Sequence, residues 1–346
     1  MKVAALDVHR SFSQVCILDK ESKSLLDLEV ESSPAGLSRL SGAFSGVERV
    51  ALEASSHWGW VVDHLQGMGL DVVLSHPSKT KAIGSAKIKT DKIDARMLAH
   101  LLSADLLPTA HISSPEVREQ RSYLRYRYAL VGVRTQAKNR IHAVLFAYGL
   151  RCPCKDLFCI KGRKWLLEQE FAALHYEQIC GYLALIDLVN ELVKSVDVQI
   201  RPLAEQHSEA KLLLSIPGVS YYSALLIACE IDGVERFASA KHLVSYAGLC
   251  PSTRSSGGKE RHGHITRTGS QYLRWIMVEA AQKAATPSSP LNCFWWSVAK
   301  RKGGGAAKVA VARKLLESVY QMLKTRQAFR PDAWRKGAGR GSFSET

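Results

Sequence analysis

Short apolar runs recur in the first quarter of the chain, and each has the length of a β-strand. They occupy residues 3–6, 14–18, 49–52 and 70–74. Between the last two runs, apolar residues recur at helical spacing from Trp60 to Met68. The resulting order β-β-β-α-β predicts a mixed sheet with helices packed against it.

From Thr90 onwards the apolar pattern changes to that of an amphipathic helix, with a stripe of apolar residues from Ile93 to Leu102. Either Thr90 or Asp91 is placed to cap the amino terminus of this helix. Asp91 and Asp94 then lie on one face of its first turn, because residues three apart share a helix face.

Two longer helical patterns follow, at residues 115–148 and 182–205. The first contains seven basic residues and two acidic ones. Because the apolar positions of both recur at threes and fours, the two helices could pair antiparallel within one chain or form a seam between two copies. The sequence leaves both arrangements open.

A segment rich in glycine, serine and basic residues begins near Ile216 and reaches about Ala285. These changes of pattern predict four parts of the chain. The sheet domain covers residues 1–112, with part of its last helices in 113–150, and a long helical dimerisation region covers 113–208. A mainly helical C-terminal domain covers 209–326, and a basic, disordered tail covers 327–346.

Composition adds a strong positive charge to this picture. The chain has 47 Lys and Arg against 32 Asp and Glu, a net charge of +15, which is typical of nucleic-acid-binding proteins, although general binding to acidic partners is the alternative. Because Asp7, His9 and Arg10 interrupt the first apolar run, we expect no signal peptide. No apolar stretch is long enough to span a bilayer, so we expect a cytoplasmic protein without membrane partners.

The eight cysteines do not follow a disulfide or zinc pattern. Only Cys152, Cys154 and Cys159 cluster, with Cys180 further along, and their spacing differs from the paired C-x-x-C of structural zinc sites. We therefore expect most of them to be apolar core residues.

Four acidic residues stand at the ends of predicted elements: Asp7 and Glu53 close strands, and Asp91 and Asp94 begin a helix. Taken singly, such residues are more often turn residues or helix caps. As a set, they can converge at one edge of a sheet, where carboxylates hold the Mg²⁺ or Mn²⁺ ions of phosphodiester chemistry. The set therefore predicts a metal-dependent catalytic site.

The contexts of these residues, L-D-V-H from Leu6, L-E-A from Leu52 and K-T-D-K-I-D-A-R from Lys89, resemble one known family. The chain is similar to the RuvC-like DEDD transposases of insertion sequences, specifically the IS110 family of bridge-RNA-guided recombinases, to about residue 325. It departs from many relatives after Glu53, where it has Ser-Ser-His-Trp in place of Thr-Gly. The resemblance implies an α/β fold: an RNase H/RuvC-like mixed sheet with flanking helices, a coiled-coil-like middle and a mainly helical C-terminal transposase domain.

A second match covers P-G-V at Pro217, Y-A-G-L-C-P at Tyr246, S-S-G-G-K at Ser255 and G-H-I-T-R-T-G at Gly263. Glycines in a Ser-Gly loop let the main chain approach a phosphate, and flanking cations would hold it. By resemblance the nucleophile is Ser256, with Ser255 as the adjacent alternative. The predicted nucleic-acid-binding residues are Arg118, Arg121, Arg125, Lys138, Arg254, Lys259, Arg261, Arg267 and Arg274, together with a basic helix near residues 308–324.

By resemblance, this is a DNA transposase or recombinase that forms a phosphoserine intermediate, acts as a dimer or tetramer on donor and target DNA, and uses a guide RNA on the nucleoid of a bacterial or archaeal cell. A Holliday-junction-type endonuclease is the alternative, in which water attacks and Ser256 only binds DNA. A third hypothesis is a nucleic-acid-binding protein without catalysis, in which the carboxylates are structural.

Overall fold

The structure is a computed structural model that describes residues 2–19, 21, 23–55, 57–83, 90–256, 259–285 and 289–330. At residues 254–256, 259, 260, 262, 284 and 290 it describes the main chain alone. The chain forms two compact units, Met1–Glu116 and Val117–Thr346, and each has its own hydrophobic core.

A five-stranded mixed sheet forms the centre of the first unit. Its strands are β1 (Lys2–Val8), β2 (Phe12–Leu18), β3 (Ser24–Glu31), β4 (Val47–Glu53) and β5 (Asp71–Ser75). They lie in the order β3-β2-β1-β4-β5. β1 pairs antiparallel with β2 and parallel with β4, β2 pairs antiparallel with β3, and β4 pairs parallel with β5. The predicted mixed sheet is confirmed.

Helices cover both faces of this sheet, with α1 (Pro34–Ser38) and α2 (Trp58–Gly67) on one face and α4 (Asp91–Ser103) on the other. Helix α3 (Pro77–Ile83) follows β5. Because side chains alternate along a strand, β1 and β4 contribute to two separate cores. Leu6 and Leu52 pack with Leu65 of α2, whereas Ala5 and Ala51 lie in the core on the opposite face, with the buried side of α4.

The edge strand β3 was not among the strands predicted from the sequence. Its apolar residues Leu26, Leu28 and Val30 pack against the core that contains α2, and they alternate with the acidic residues Asp27 and Glu29. Alternation of this kind is typical of a strand buried on one face. The signal for β3 was therefore present in the sequence.

The second unit contains the long helices α5 (Pro115–Ala147) and α7 (Ala173–Gln206), with α6 (Ile160–Leu167) between them. Arg127 Nη2 donates to Asp197 Oδ2 at 2.9 Å, and Arg134 Nη1 donates to Asn190 Oδ1 at 2.9 Å. Seven residues forward on α5 thus correspond to seven residues back on α7, the spacing of an antiparallel coiled coil. Of the two arrangements left open by the sequence, the structure contains the pairing within one chain.

The rest of the second unit is mainly helical, which confirms that prediction. Its elements are α8 (Ser208–Leu213), α9 (Tyr221–Ile231), α10 (Ala240–Tyr246), β6 (Pro251–Ser256), β7 (Lys259–Ile265), α11 (Gln271–Ala284) and α12 (Pro290–Thr325). Their core also contains Leu124 of α5 and Val196 of α7. The long helices and the C-terminal segment therefore share one hydrophobic core.

The predicted Ser-Gly loop is wrong in one respect, because this segment is a β-hairpin. β6 and β7 pair antiparallel, with Ser256 opposite Lys259. Gly257 and Gly258 between them lie outside the described residues. A pair of strands separated by two glycines is a common hairpin pattern, so the sequence itself favoured strands here.

Helix α12 contains the predicted basic helix and is interrupted at Gly303, whose φ of 82° and ψ of 164° are not helical. Most of the predicted disordered tail, from residue 331, lies outside the described part of the chain. Among the helices that the structure describes, none is both long and apolar enough to cross a membrane.

Candidate active site

Asp7 and Glu53 lie side by side at the carboxyl ends of two parallel strands. Leu6 of β1 pairs with Leu52 of β4, so the residues that follow them are also neighbours. Leu6 and Leu52 point into the core that contains α2. Because side chains alternate, Asp7 and Glu53 both face the side of the sheet that α4 covers.

The other two carboxylates come from the start of α4. Thr90, not Asp91, caps this helix: its Oγ1 accepts a hydrogen bond from the Ile93 main-chain N–H at 3.3 Å. Asp91 and Asp94 follow in the first turn, where negative charge is favoured by the helix dipole. Since α4 packs on β1, β2 and β4, it brings both carboxylates to the face of the sheet that carries Asp7 and Glu53.

His9 joins the strand end to the helix start. Its Nε2 lies 3.2 Å from Asp7 Oδ2 and 3.2 Å from Asp91 Oδ1. The imidazole ring stacks on Phe12, with a centroid separation of 4.8 Å. His9 was not a predicted site residue, although its position two residues after Asp7, on the same face of an extended chain, is a signal that could have identified it.

The electrostatics of Asp7 show that the carboxylates are close enough to interact. Burial raises the pKa of Asp7 above its ordinary value, His9 opposes this by its charge and hydrogen bond, and the charges of Asp91 and Asp94 raise that pKa further. Carboxylates that repel one another in this way are stabilised by a cation.

The donor set therefore fits a hard divalent ion. Ligand atoms of Asp7, His9 and Asp91 all lie within 4.8 Å of one another, the only such group of three or more potential ligands found within the described residues. Of the four predicted carboxylates, this group contains Asp7 and Asp91, and His9 is the third potential ligand.

The predicted nucleophile lies in the second unit, at the free end of the β6–β7 hairpin. Ser255 pairs with Glu260 and Ser256 pairs with Lys259, next to the reversal of the chain. Both serines are therefore at the tip of the hairpin, while the carboxylates belong to the first unit.

The base of the hairpin is fixed by hydrogen bonds between main-chain groups. Thr266 N–H donates to Cys250 O at 2.9 Å, and Ser270 N–H donates to Tyr246 O at 3.1 Å. Gly269 has a φ of 74°, and a Cβ atom at this position would lie 2.0 Å from Tyr246 O. Only glycine fits here, so the T-R-T-G run has a structural role that was not predicted.

Several predicted nucleic-acid-binding residues make contacts inside the second unit. Arg121 Nη2 lies 3.3 Å from Asp232 Oδ2, and Arg125 Nη2 lies 2.8 Å from the buried Glu230 Oε1. The side chains of Arg121 and Arg125 thus hold α5 against α9. Arg121 and Arg125 are basic residues at helical spacing in the sequence. That pattern does not reveal their acidic partners on α9.

Two other residues of the predicted set are only half-buried on α5. Lys138 Nζ lies 4.5 Å from the centre of the Phe158 ring, and Arg118 is half-buried near the start of the helix.

Arg261 and Arg267 are exposed near the hairpin. Arg274 Nη1 donates to Ala247 O at 3.0 Å, and burial together with the nearby charge of Arg267 lowers the pKa of Arg274. Neighbouring arginines favour an anion such as a phosphate oxygen. The side chains of Arg254 and Lys259 lie outside what the structure describes.

The clustered cysteines have local structural contacts. The Cys154 N–H donates to Cys152 Sγ at 3.4 Å, and Cys159 Sγ accepts from the Gly162 N–H at 3.3 Å at the start of α6. Neither contact requires a metal.

Both halves of the chain match known protein families. Residues 4–149 match the family DEDD_Tnp_IS110, described as "Transposase". Residues 210–292 match Transposase_20, described as "Transposase IS116/IS110/IS902 family". The first match contains all four carboxylates, and the second contains the serine hairpin.

Individual relatives extend over nearly the full length. The chain is 23% identical to the transposase for insertion sequence element IS1111A of Coxiella burnetii, over 95% of this chain and 92% of that protein. It is 23% identical to the transposase for insertion sequence element IS1533 of Leptospira borgpetersenii, over 93% of this chain and 95% of that protein.

Among solved structures, Thermus thermophilus RuvC matches 32% of this chain and 100% of that chain, with 16% identity and a TM-score of 0.25. The fold assignment rests on strand order, helix placement and the N-terminal family match rather than on this similarity. The two family matches favour a transposase over a binding protein without catalysis. The chain therefore belongs to the IS110 family of transposases, with a DEDD domain at its amino-terminal end.

Proposed function

We propose that this transposase cuts and rejoins DNA strands by using a divalent metal site formed by Asp7, Glu53, Asp91 and Asp94, with Ser256 as the nucleophile. The observation that carries the proposal is the placement of four carboxylates from three elements on one face of the sheet. Two paired strands fix two of them, and a capped helix start supplies the other two.

In this proposal the carboxylates bind the metal and position it against a phosphodiester. A divalent cation held there would polarise a phosphate oxygen and would stabilise charge on the leaving oxygen. His9 orients Asp7 and Asp91, because its ring is stacked on Phe12 and its Nε2 lies within hydrogen-bonding distance of both carboxylates.

The strand-cutting step exchanges one phosphodiester for another. The Ser256 Oγ–phosphorus bond forms while the bond from phosphorus to a deoxyribose oxygen breaks. The serine proton passes to a carboxylate of the acidic site, and the leaving deoxyribose oxygen takes up a proton. Attack on the phosphoserine by the hydroxyl of another strand reverses these events and joins that strand.

We further propose that the carboxylates of one subunit act on DNA bound to the serine hairpin of another, in a dimer or tetramer. The support for this arrangement is the family resemblance. A composite site of this kind makes cleavage depend on assembly.

DNA contacts are assigned in this proposal to the cations around the hairpin. Arg261 and Arg267 are exposed, Arg254 and Lys259 belong to the same hairpin, and Arg274 lies near Arg267. Guidance by a structured RNA is supported by family resemblance alone. Sequencing of the nucleic acid that co-purifies with the protein tests it: a discrete structured RNA supports guidance, and random fragments contradict it.

The serine mechanism is tested by trapping the protein on DNA. Wild-type protein, Ser256→Ala and Ser255→Ala are incubated with Mg²⁺ and a labelled substrate and then resolved under denaturing conditions. We expect a covalent adduct with the wild type and Ser255→Ala, and none with Ser256→Ala.

Two other results of the adduct assay would change the proposed mechanism. Loss of the adduct in Ser255→Ala alone would move the nucleophile by one residue. Active cleavage by the wild type without any adduct would contradict the serine mechanism and support attack by water.

A further inference from the structure

We propose that the ion pair between Arg96 and Asp27 is a positioning device for the catalytic carboxylates of α4. Arg96 lies two residues after Asp94, and Asp27 lies on the edge strand β3. The inference rests on the metal site proposed above, and it assigns a role to two residues that lie outside that site.

The two side chains meet on the face of the sheet that α4 covers. Asp27 pairs in register with Cys16 of β2, and Cys16 belongs to the core beneath α4. Arg96 Nε donates to Asp27 Oδ2 at 2.8 Å, and Arg96 Nη2 bonds to the same oxygen. Ser24 Oγ donates to this carboxylate at 2.9 Å.

Apolar packing holds α4 on the sheet. Its buried residues Ala95, Leu98, Ala99 and Leu102 pack with apolar residues of the strands, among them Ala5 and Ala51. Hydrophobic contact has no direction, and the two leucines lie further along the helix than Asp91 and Asp94. A charged hydrogen bond does have direction, so Arg96 can set the position of the first turn.

The position of that turn matters for binding a metal. Asp91 and Asp94 must lie at ligand distance from the same ion as Asp7 and Glu53, and a displacement of about 1 Å is enough to damage a site of this kind. Side chains that orient metal ligands typically change metal affinity about 10- to 100-fold when they are removed.

Arg96 is committed to this role by the burial of its partner. The Asp27 side chain is only 9% exposed, and its Oδ1 is buried without a hydrogen-bond partner. If Arg96 turned away to contact a phosphate, it would leave a buried carboxylate uncompensated, which is strongly unfavourable. The geometry therefore favours a permanent ion pair between Arg96 and Asp27 over a contact between Arg96 and DNA.

The far end of α4 provides a matched control. Arg49 Nη1 lies 2.7 Å from Asp105 Oδ1, just beyond the last turn of the helix. Asp105→Asn removes an ion pair at the end of α4 opposite the carboxylates, so it tests the general loss of a charge pair in the same unit.

The experiment is a titration of the full-length protein with Mn²⁺, in which electron paramagnetic resonance measures the free ion. The variants are Arg96→Gln, Arg96→Lys, Asp27→Asn, Asp105→Asn and Asp91→Asn, and urea unfolding of each confirms its folded state. We expect Mn²⁺ affinity to fall about tenfold in Arg96→Gln and Asp27→Asn. Arg96→Lys should be intermediate, and Asp105→Asn should stay within about twofold of the wild type.

The results separate the inference from the proposed metal site. If Asp91→Asn weakens Mn²⁺ binding while Asp27→Asn and Arg96→Lys bind like the wild type, the positioning role is wrong and the metal site stands. If Asp91→Asn itself binds Mn²⁺ normally, the proposed metal site is wrong. If Arg96→Gln does not fold, the isosteric Asp27→Asn and the charge-retaining Arg96→Lys decide the question.

Discussion

At the scale of single residues, His9 explains how closely placed carboxylates are tolerated without a cation. Its Nε2 lies 3.2 Å from oxygens of both Asp7 and Asp91, so one N–H group can be shared between the two. A bound metal would also reduce the repulsion between the two carboxylates. Loss of His9 should therefore cost more stability in the metal-free protein than in the metal-bound protein.

We predict that His9→Ala lowers the melting temperature of the metal-free protein and enlarges the stabilisation that saturating Mg²⁺ provides. The reason is that Asp7 and Asp91 then repel each other until the metal binds. Differential scanning fluorimetry with and without Mg²⁺ measures both effects. The control is His64→Ala, which removes a half-buried imidazole on α2 that lies within hydrogen-bonding distance of Ser38. An equal Mg²⁺ shift in both variants would contradict the prediction.

Asp27 predicts a pH dependence of stability. Burial on its own would raise the pKa of Asp27, but hydrogen bonds from Arg96 and Ser24 and the charge of Arg96 together hold it below its ordinary value. A lowered pKa contributes stability above the unfolded pKa of about 3.9, and the contribution is lost as the pH falls through the folded pKa.

We therefore predict that Asp27→Asn lowers the free energy of unfolding by about 1–3 kcal/mol near neutral pH, and that this difference shrinks below about pH 4. Urea unfolding at a series of pH values checks this. A difference that is constant down to pH 3 would show that the charge of Asp27 is not the cause.

At the scale of elements, a buried ion pair joins three helices around the base of the serine hairpin. Glu230 of α9 is 1% exposed, accepts from Arg125 Nε of α5 at 2.9 Å, and accepts from Ser270 Oγ at 2.8 Å. Ser270 caps α11, directly after the T-R-T-G run. The segment after the hairpin is therefore tied to α5 and α9 by hydrogen bonds.

We predict that Glu230→Ala destabilises the protein by about 1–3 kcal/mol, because it removes the acceptor of the hydrogen bonds from Arg125 and Ser270. Glu230→Gln should cost less, since the amide oxygen still accepts a hydrogen bond. The control is Asp187→Ala, which breaks the more exposed pair with Arg163 and should cost about 1 kcal/mol or less. Chemical denaturation compares the three, and equal losses would contradict the account.

Helices and strands whose apolar residues recur at regular spacing were predictable from the sequence. Contacts between side chains that are far apart in the sequence were not. The start of α4 followed from the stripe after Thr90, and β3 carried an alternating pattern at Leu26, Leu28 and Val30. In contrast, the pairing of Arg125 with Glu230 joins residues 105 apart in sequence. Local patterns carry no information about such a partner.

At the scale of the whole molecule, the four carboxylates were predictable as a set because each ends or begins an element. Their convergence depends on strand order, which the sequence alone left open: β1 lies between β2 and β4, so Asp7 and Glu53 are neighbours. The relation of Ser256 to these residues stays a prediction, since the two belong to separate units.

We propose above that Asp7, Glu53, Asp91 and Asp94 together form the metal site for DNA cleavage. The test measures Mg²⁺-dependent strand cleavage by four variants: Asp7→Asn, Glu53→Gln, Asp91→Asn and Asp94→Asn. The control is Asp71→Asn, at the start of β5 and therefore at the other end of the parallel strands from Glu53. We predict that each of the four lowers the cleavage rate by at least about 100-fold and that Asp71→Asn cleaves like the wild type. Cleavage at the wild-type rate by a folded variant at any of the four positions would show that this residue is not a ligand of the catalytic metal.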